Sequence, residues 1–167
     1  MLKHICVIRH ARCRVIRNEE HRLVDDDLDD SGLQHSEIIA THINRIREGR
    51  SVMILTSDAK RAELTAAIVA GQLASARRTL HMLNGNTSGF FGLLDSLICL
   101  RDLITLDLVA LITHRAFIDG AIHYAGNTLA YACSFDEVPE IGYGSILTLD
   151  LDARSMNLIP MPDSFQR

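Results

Sequence analysis

Three short apolar segments alternate with segments of helical periodicity, and this alternation constrains the fold more than any other feature of the chain. The apolar segments are HICVIR at 4–9, SVMILTS at 51–57 and DLVALITH at 107–114. Apolar runs of this length are typical of strands that are buried on both faces of a parallel sheet. The order therefore predicts an α/β fold, a three-layer α/β/α sandwich with a mostly parallel sheet.

The segments between these strands carry the helical signals. Apolar residues recur at helical spacing through 31–49, and the alanine-rich segment 58–76 predicts a second helix that is capped by Ser57 or Asp58. An acidic segment, EEHRLVDDDLDDSG at 19–32, precedes the first helix and predicts a solvated loop with an N-cap rather than a cation site. The later elements are predicted as helices at 89–104 and 115–126 and strands in GYGSILTLDLD and SMNLIPM.

Composition limits the organisation of the chain and its partners. With 167 residues, 47% of them apolar and 23% charged, we expect one domain over 1–167. The net charge of −4 argues against nucleic-acid binding, and no apolar run is long enough for a membrane helix. The four cysteines form no CxxC pair and the N-terminus lacks a signal-peptide pattern, so we expect free thiols, no zinc site and a cytoplasmic protein.

Polar residues that can bind an anion follow each of the three predicted strands. Arg9 and His10 follow the first, the segment 57–61 follows the second, and His114 and Arg115 follow the third. The carboxyl ends of parallel strands share one edge of the sheet, so these residues should converge on one crevice. Clustered cations also favour the neutral form of a histidine, which is its nucleophilic form. The pattern predicts a site for a small anion.

Four segments, in order, resemble signatures of the histidine phosphatase superfamily, which includes phosphoglycerate mutases and acid phosphatases. VIRHAR resembles the RHG signature, LDDSG at 28–32 the LTxxG helix start, SDAKRAELTA at 57–66 the SSPxxRAxQTA element, and ALITH at 110–114 the strand before the second histidine. The resemblance covers residues 4–149. Because His10 and His114 are only 104 positions apart, the chain is most similar to the short phosphohistidine phosphatases.

The resemblance implies a phosphoglycerate mutase-like fold and phosphoryl transfer through a phosphohistidine. His10 matches the nucleophile, Arg9 and Arg61 match the phosphate-binding arginines, and His114 matches the second histidine. It implies no metal and no cofactor, and a phosphorylated small molecule or a phosphohistidine protein as the substrate. A phosphatase is the leading hypothesis. The alternatives are a non-catalytic phosphate-binding or protein-binding member of the fold, and a phosphomutase, against which the short chain argues.

The chain departs from the family pattern beside the nucleophile. Ala11 and Arg12 stand where the family has glycine and often an acid. Alanine resists a positive φ, and Arg12 either adds a phosphate contact or is a solvated side chain. Asp58 replaces the proline of the second signature, where it would cap the helix or pair with Arg61.

A general acid is the missing part of the predicted site. No glutamate lies between Glu63 and His114, and Asp95 is the candidate nearest to a loop. The absence of a clear acid favours N-linked phosphate, whose protonated imidazole leaving group needs less help. Ser57 and Arg115 are further candidate site residues. The adjacent phenylalanines at 90 and 91 are predicted to pack in the core or to form part of a lid.

Overall fold

The structure is a computed structural model that describes residues 1–14, 16–17, 23–135 and 137–161. The strands are β1 (His4–Arg9), β2 (Ile16–Arg17), β3 (Leu23–Asp25), β4 (Val52–Thr56), β5 (Ala76–Thr79), β6 (Leu108–Thr113), β7 (Ala132–Cys133), β8 (Ile146–Asp150) and β9 (Ser155–Ile159). The helices are α1 (Asp30–Arg47), α2 (Lys60–Leu73), α3 (Thr87–Cys99) and α4 (Arg115–His123). Short 3₁₀ turns span His81–Leu83 and Arg101–Leu103, and a π turn spans Tyr124–Thr128.

Seven of these strands form one sheet, in the order β5-β4-β6-β1-β8-β9-β7. Strands β5, β4, β6 and β1 are mutually parallel, and β8 and β9 close the sheet as an antiparallel pair. Strand β7 adds a short parallel edge to β9. The parallel half of the sheet therefore brings the carboxyl ends of three strands predicted from the sequence, β1, β4 and β6, to one edge.

Helices cover both faces of the sheet. On one face α1 and α2 bury Ile39, Ile43, Ala66 and Val69 against the sheet. On the other face α3 and α4 bury their apolar residues, among them Phe90, against the opposite side of the same strands. This is the predicted three-layer α/β/α sandwich, and the near-continuous apolar strands follow from burial on both faces.

Strand β1 shows why these segments are apolar throughout. Ile5 and Val7 belong to the core on the α3 and α4 side, whereas Cys6 and Ile8 belong to the core on the α1 and α2 side. Successive side chains of a strand point to opposite faces of the sheet, and here both faces are buried. Phe90 is fully buried, which places it in the core rather than in a lid.

Several elements differ from the sequence expectation. Helix α2 ends at Leu73, and the last predicted helical residue, Ala76, begins β5, an edge strand whose residues are all exposed. An exposed edge strand carries no apolar pattern that a sequence could show. Within the predicted acidic loop, Leu23–Asp25 form β3, which pairs antiparallel with β2, while its residues 19–22 lie outside the described chain. Within the described residues, no helix has both the length and the apolar character that a membrane crossing requires.

Candidate functional site

The residues predicted to form the site lie together at the carboxyl ends of β1, β4 and β6. Arg9 is the last residue of β1 and lies beside Thr113, the last residue of β6. His10 and His114 therefore leave neighbouring strands at the same level, and their ring centroids are 5.2 Å apart in an edge-to-face arrangement. The convergence that the strand order predicted is present in the structure.

The hydrogen bonds of His10 define its tautomer. Nδ1 lies 2.8 Å from the carbonyl oxygen of Ala11, and because a carbonyl oxygen can only accept, Nδ1 carries the proton. The Nε group of Arg61 donates to Nε2 of His10 at 3.0 Å. The ring is only 5% exposed, so a lone pair on Nε2 is held within a nearly closed cationic pocket.

Both histidines are held in the neutral form. Burial, together with the charges of Arg61, His114 and Arg9, lowers the pKa of His10 to about 3, although the bond to Ala11 opposes the shift. Burial and the same two arginines lower the pKa of His114 to about 4. At neutral pH, His10 therefore carries the unprotonated nitrogen that nucleophilic attack requires.

Ser57, a further candidate site residue, contacts His114. Its Oγ is hydrogen bonded to Nε2 of His114 at 3.1 Å and accepts the backbone N–H of Ala59 at the same distance. The hydroxyl thus links the second histidine to the start of α2. Sequence position indicated this contact because Ser57 follows β4 directly.

Arg9 is held by two contacts from the loop before β8. One terminal nitrogen donates to the carbonyl oxygen of Ile141 at 2.7 Å, and the guanidinium lies 3.9 Å from the ring centroid of Tyr143. The same tyrosine ring is 5.6 Å from the ring of His10. Tyr143 is a site residue that the sequence reasoning missed, because nothing in the local pattern of GYGS shows which strand end this loop reaches.

Arg61 is anchored by a carboxylate that was predicted to be solvated. Its NH1 group binds Oδ2 of Asp26 at 2.9 Å, and Asp26 is only 4% exposed. The prediction of a solvated loop was therefore wrong for this residue. It was right for Asp29, which caps α1 by accepting the N–H of Gly32 at 2.8 Å. The sequence of the segment 25–30 does not indicate which of its acidic residues is buried.

The segment after His10 is fixed by two further residues of the resembling motifs. Thr65 Oγ1 accepts the N–H of Ala11 at 3.1 Å and donates to the carbonyl oxygen of Arg61 at 2.7 Å. A Cβ atom on Gly32 would lie 1.9 Å from the carbonyl oxygen of Arg12, so only glycine permits this approach. Ala11 is fully buried and is not among the described residues with positive φ, so its methyl group causes no backbone strain.

The remaining candidates lie at the rim or outside the crevice. Arg12 forms an ion pair with Asp29 at 3.0 Å, and Arg115 faces Asp119 at 3.6 Å in an exposed pair. Asp95 is exposed on α3 and accepts a hydrogen bond from the hydroxyl of Tyr124.

The hydrogen-bond partner of Asp95, Tyr124, lies at the far end of the helix that begins beside His114. Tyr124 directly follows α4, a helix of nine residues that begins immediately after His114. A helix rises about 1.5 Å per residue, so this end of α4 lies roughly 13 Å along the axis from its start. The structure therefore does not place Asp95 as a general acid.

Asp58 takes neither of the two roles predicted for it. The N-cap position of α2 is Ala59, and in the first turn the N–H of Arg61 donates to Oδ2 of Asp26 at 3.4 Å instead of to Asp58. The carboxylate of Asp58 instead accepts a hydrogen bond from Nδ1 of His81 at 2.7 Å. Among the described residues, no three His, Cys, Asp or Glu side chains are grouped as metal ligands.

Comparison with known proteins supports the fold. No family model and no curated protein matches this sequence. Among solved structures, one assigned as the phosphohistidine phosphatase SixA from Agrobacterium tumefaciens matches with a TM-score of 0.65 at 18% identity, over 90% of this chain and 92% of the other. The protein histidine phosphatase SixA in complex with tungstate matches with a TM-score of 0.63 at 20% identity, over 93% and 94% of the two chains.

Two structures with other activities share the same fold. A phosphoglycerate mutase from Plasmodium falciparum has a TM-score of 0.58 at 18% identity, over 95% of this chain and 89% of the other. A mycobacterial glucosyl-3-phosphoglycerate phosphatase has a TM-score of 0.63 at 13% identity, over 95% and 97% of the two chains. These likenesses confirm the phosphoglycerate mutase-like fold and its resemblance to the short phosphohistidine phosphatases.

Proposed function

We propose that this protein is a histidine phosphatase, which transfers the phosphoryl group of its substrate to His10 and then hydrolyses the phosphohistidine. The observation that carries the proposal is the state of His10. Its Nδ1 proton is donated to the carbonyl oxygen of Ala11, its Nε2 is unprotonated and accepts from Arg61, and the ring of His114 lies 5.2 Å away.

The first step is an in-line attack by Nε2 of His10 on phosphorus. The bond from Nε2 to phosphorus forms as the bond to the leaving group breaks. The hydrogen bond from Arg61 to Nε2 is exchanged in this step, because the phosphate oxygens take the N–H of the arginine. The bond from Nδ1 to Ala11 stabilises the positive charge that develops on the ring.

Arg9, Arg61 and His114 are the groups that hold the oxygens of the phosphoryl group. A phosphoryl group in transit carries negative charge on three equatorial oxygens, so its transfer depends mainly on positioning and charge stabilisation. The two guanidinium groups are held in place by Ile141 and Tyr143 on one side and by Asp26 on the other. Preorganised donors of this kind need little rearrangement when the charge develops.

The second step releases inorganic phosphate. A water oxygen attacks phosphorus, the bond from phosphorus to Nε2 breaks, and its electron pair returns to the imidazole. Two substrate classes fit this chemistry: phosphomonoesters and protein phosphohistidine. The structural neighbours include proteins described with each class, a glucosyl-3-phosphoglycerate phosphatase and a protein histidine phosphatase. Tungstate, an analogue of phosphate, is bound in the latter.

The proposed setting is the cytoplasm. Cys6 and Cys13 are buried and Cys99 and Cys133 are exposed, and all four are free thiols. Exposed free thiols are typical of a reducing compartment.

A second candidate function is a phosphate-sensing module that does not turn over. One observation favours it: the Nε group of Arg61 donates to the same Nε2 that would attack phosphorus. If the phosphate oxygens do not draw this N–H away, the site binds an oxyanion without reacting.

Trapping of the phosphoenzyme separates the two candidates. The protein is mixed with radiolabelled phosphorylated donors, quenched in base, which preserves phosphohistidine, and mapped by peptide. We expect label on His10 and vanadate-sensitive phosphate release, both abolished in His10→Ala. His123→Ala is the matched control, because that histidine is exposed at the end of α4. Vanadate binding without label on His10 supports the sensing module, and phosphatase activity that survives His10→Ala overturns the proposal.

A further inference from the structure

A carboxylate–imidazole pair beside the crevice has no part in the mechanism proposed above. Nδ1 of His81 donates to Oδ2 of Asp58 at 2.7 Å, because a carboxylate oxygen only accepts. Nε2 is therefore the ring nitrogen that remains to meet a substrate. When the ring is protonated, Nε2 carries the proton that can be transferred.

The fold places this pair at the same edge of the sheet as His10. Asp58 directly follows Ser57, whose hydroxyl is hydrogen bonded to His114. His81 follows Leu80, whose N–H donates to the carbonyl oxygen of Thr56 at the end of β4 at 2.8 Å. Both members of the pair therefore leave the carboxyl ends of adjacent parallel strands, beside the second histidine.

The electrostatics are consistent with this placement. The charge of Asp58 acts on His114, where it opposes the fall of that histidine's pKa. The hydrogen bond from His81 holds the pKa of Asp58 below its ordinary value, which is the behaviour of a carboxylate that stays charged beside an imidazole. The hydrogen bond from Nδ1 to Asp58 also fixes the orientation of the imidazole ring.

Accessibility distinguishes this pair from an internal structural contact. The side chain of His81 is 90% exposed, and that of Asp58 is 32% exposed. An exposed ion pair contributes little to stability, so packing gives no strong reason for it. An accessible ring at the rim of a phosphate pocket can contact the part of the substrate that leaves.

We infer that His81, oriented by Asp58, is the proton donor to the leaving group when the substrate is a phosphomonoester. This inference rests on the proposed function and supplies the acid for which the sequence offered only Asp95. As the bond from Nε2 of His10 to phosphorus forms, the ester bond from phosphorus to oxygen breaks. The leaving oxygen keeps the electron pair of that bond and takes the proton from Nε2 of His81.

The second step restores both histidines. Neutral His81 accepts a proton from the water that attacks phosphorus, the phosphorus–nitrogen bond breaks, and its electron pair returns to His10. The sum is an ester and water giving an alcohol and inorganic phosphate. With a proton donor present, the site is equipped for alkyl phosphate esters as well as for N-linked phosphate.

The test compares two esters that differ in their need for a proton. Phenyl phosphate has a leaving group that benefits from protonation, whereas dinitrophenyl phosphate has one that leaves as a stable anion. We expect His81→Gln to lower kcat/KM for phenyl phosphate by about 10²-fold or more, the usual contribution of general acid catalysis. The loss with dinitrophenyl phosphate should be at least tenfold smaller.

Asp58 is a positioning residue, and its variants provide a second test of the inference. Asp58→Asn should show a smaller loss than His81→Gln with the same dependence on the leaving group, and Asp58→Glu should recover part of the rate. His123→Gln is the matched histidine control. Equal losses with both esters, or no loss with phenyl phosphate, overturn the inference while label on His10 upholds the proposed function. Absence of label on His10 in the unmodified protein overturns the proposed function itself.

Discussion

The Nε group of Arg61 donates to Nε2 of His10 at 3.0 Å, while the NH1 group of the same guanidinium binds the buried carboxylate of Asp26 at 2.9 Å. A guanidinium is planar and its donors have a fixed geometry. The carboxylate on one side therefore sets the plane of the group that faces the imidazole on the other. An acid from an irregular segment thus orients the arginine that we propose binds phosphate.

Replacing Asp26 with asparagine should impair both folding and reaction. The variant keeps the shape of the side chain but leaves the partly buried Arg61 without its charged partner, which we expect to cost about 1–3 kcal/mol in the free energy of unfolding. Loss of orientation should slow phosphoenzyme formation by about tenfold or more, the equivalent of one charge-assisted hydrogen bond. Urea denaturation and quench-flow labelling measure the two effects.

Asp27→Asn is the control for that experiment. Asp27 lies next in the chain and pairs with Lys60 at 2.8 Å, with both side chains about half exposed. An exposed pair contributes about 0–1 kcal/mol, so this variant should remain close to the unmodified protein. Similar effects of the two substitutions would contradict a specific role for Asp26.

Stability should fall in mild acid because His10 is buried as a neutral ring. Its pKa is about 3 in the folded protein, against an ordinary value of 6.5. Between these values the unfolded chain binds more protons, so the free energy of unfolding decreases as the pH falls from 6.5 toward 3, by up to about 1.4 kcal/mol per pH unit for one proton. His10→Gln should flatten this dependence, whereas His123→Gln should not. Parallel pH profiles of urea denaturation for all three proteins would exclude the effect.

Gly32→Ala should disturb the segment that follows His10, the residue that we propose is the nucleophile. The added methyl group would meet the backbone carbonyl of Arg12 at 1.9 Å, so the start of α1 or the segment after His10 must move. We expect a loss of about 1–3 kcal/mol, the usual cost of overpacking, together with slower labelling of His10.

Gly71→Ala should have the opposite effect on the stability of the protein. Gly71 lies inside α2, and a Cβ atom there meets nothing within 4 Å. Alanine should stabilise this helix by about 0.5–1 kcal/mol. Thermal unfolding of the two glycine variants should therefore shift in opposite directions, and a shift in the same direction would argue against a close approach at Gly32.

Tyr143 should contribute to oxyanion binding through Arg9. The guanidinium stacks on the tyrosine ring, with its centre 3.9 Å from the centroid. A partly desolvated contact of this kind is worth about 0.5–2 kcal/mol, so Tyr143→Ala should weaken vanadate binding by roughly twofold to thirtyfold. Tyr143→Phe keeps the aromatic face and should bind nearly normally. Calorimetry with vanadate measures both, and equal weakening would point to the hydroxyl instead of the ring.

Much of the architecture could be predicted because its signals are local. The bounds of β1 coincide with the predicted segment 4–9, and β4 and β6 lie within theirs. Their apolar runs follow directly from burial on both faces. The exposed edge strand β5 and the two-residue β7 gave no such signal, because hydrogen bonds to neighbouring strands form them without an apolar pattern.

The same distinction applies to the site. Arg9, His10, Ser57 and His114 were predicted to meet, since each follows a buried strand and parallel strands end at a common edge. Arg61 was assigned through the resemblance of its helix start. Asp26 and Tyr143 were missed, because each is carried by a loop whose path is set by distant contacts.

By itself, then, the sequence determined the order of the buried strands and the main helices, the edge of the sheet at which the candidate site lies, and the histidines and arginines that meet there. These depend on periodicity and on the rule that parallel strands end together. Only the tertiary structure decided which carboxylate holds Arg61, which ring supports Arg9, and that Asp58 turns to His81 instead of capping its helix. Those contacts depend on how separate segments pack in space, and the local sequence of a loop does not predict which distant residues it contacts.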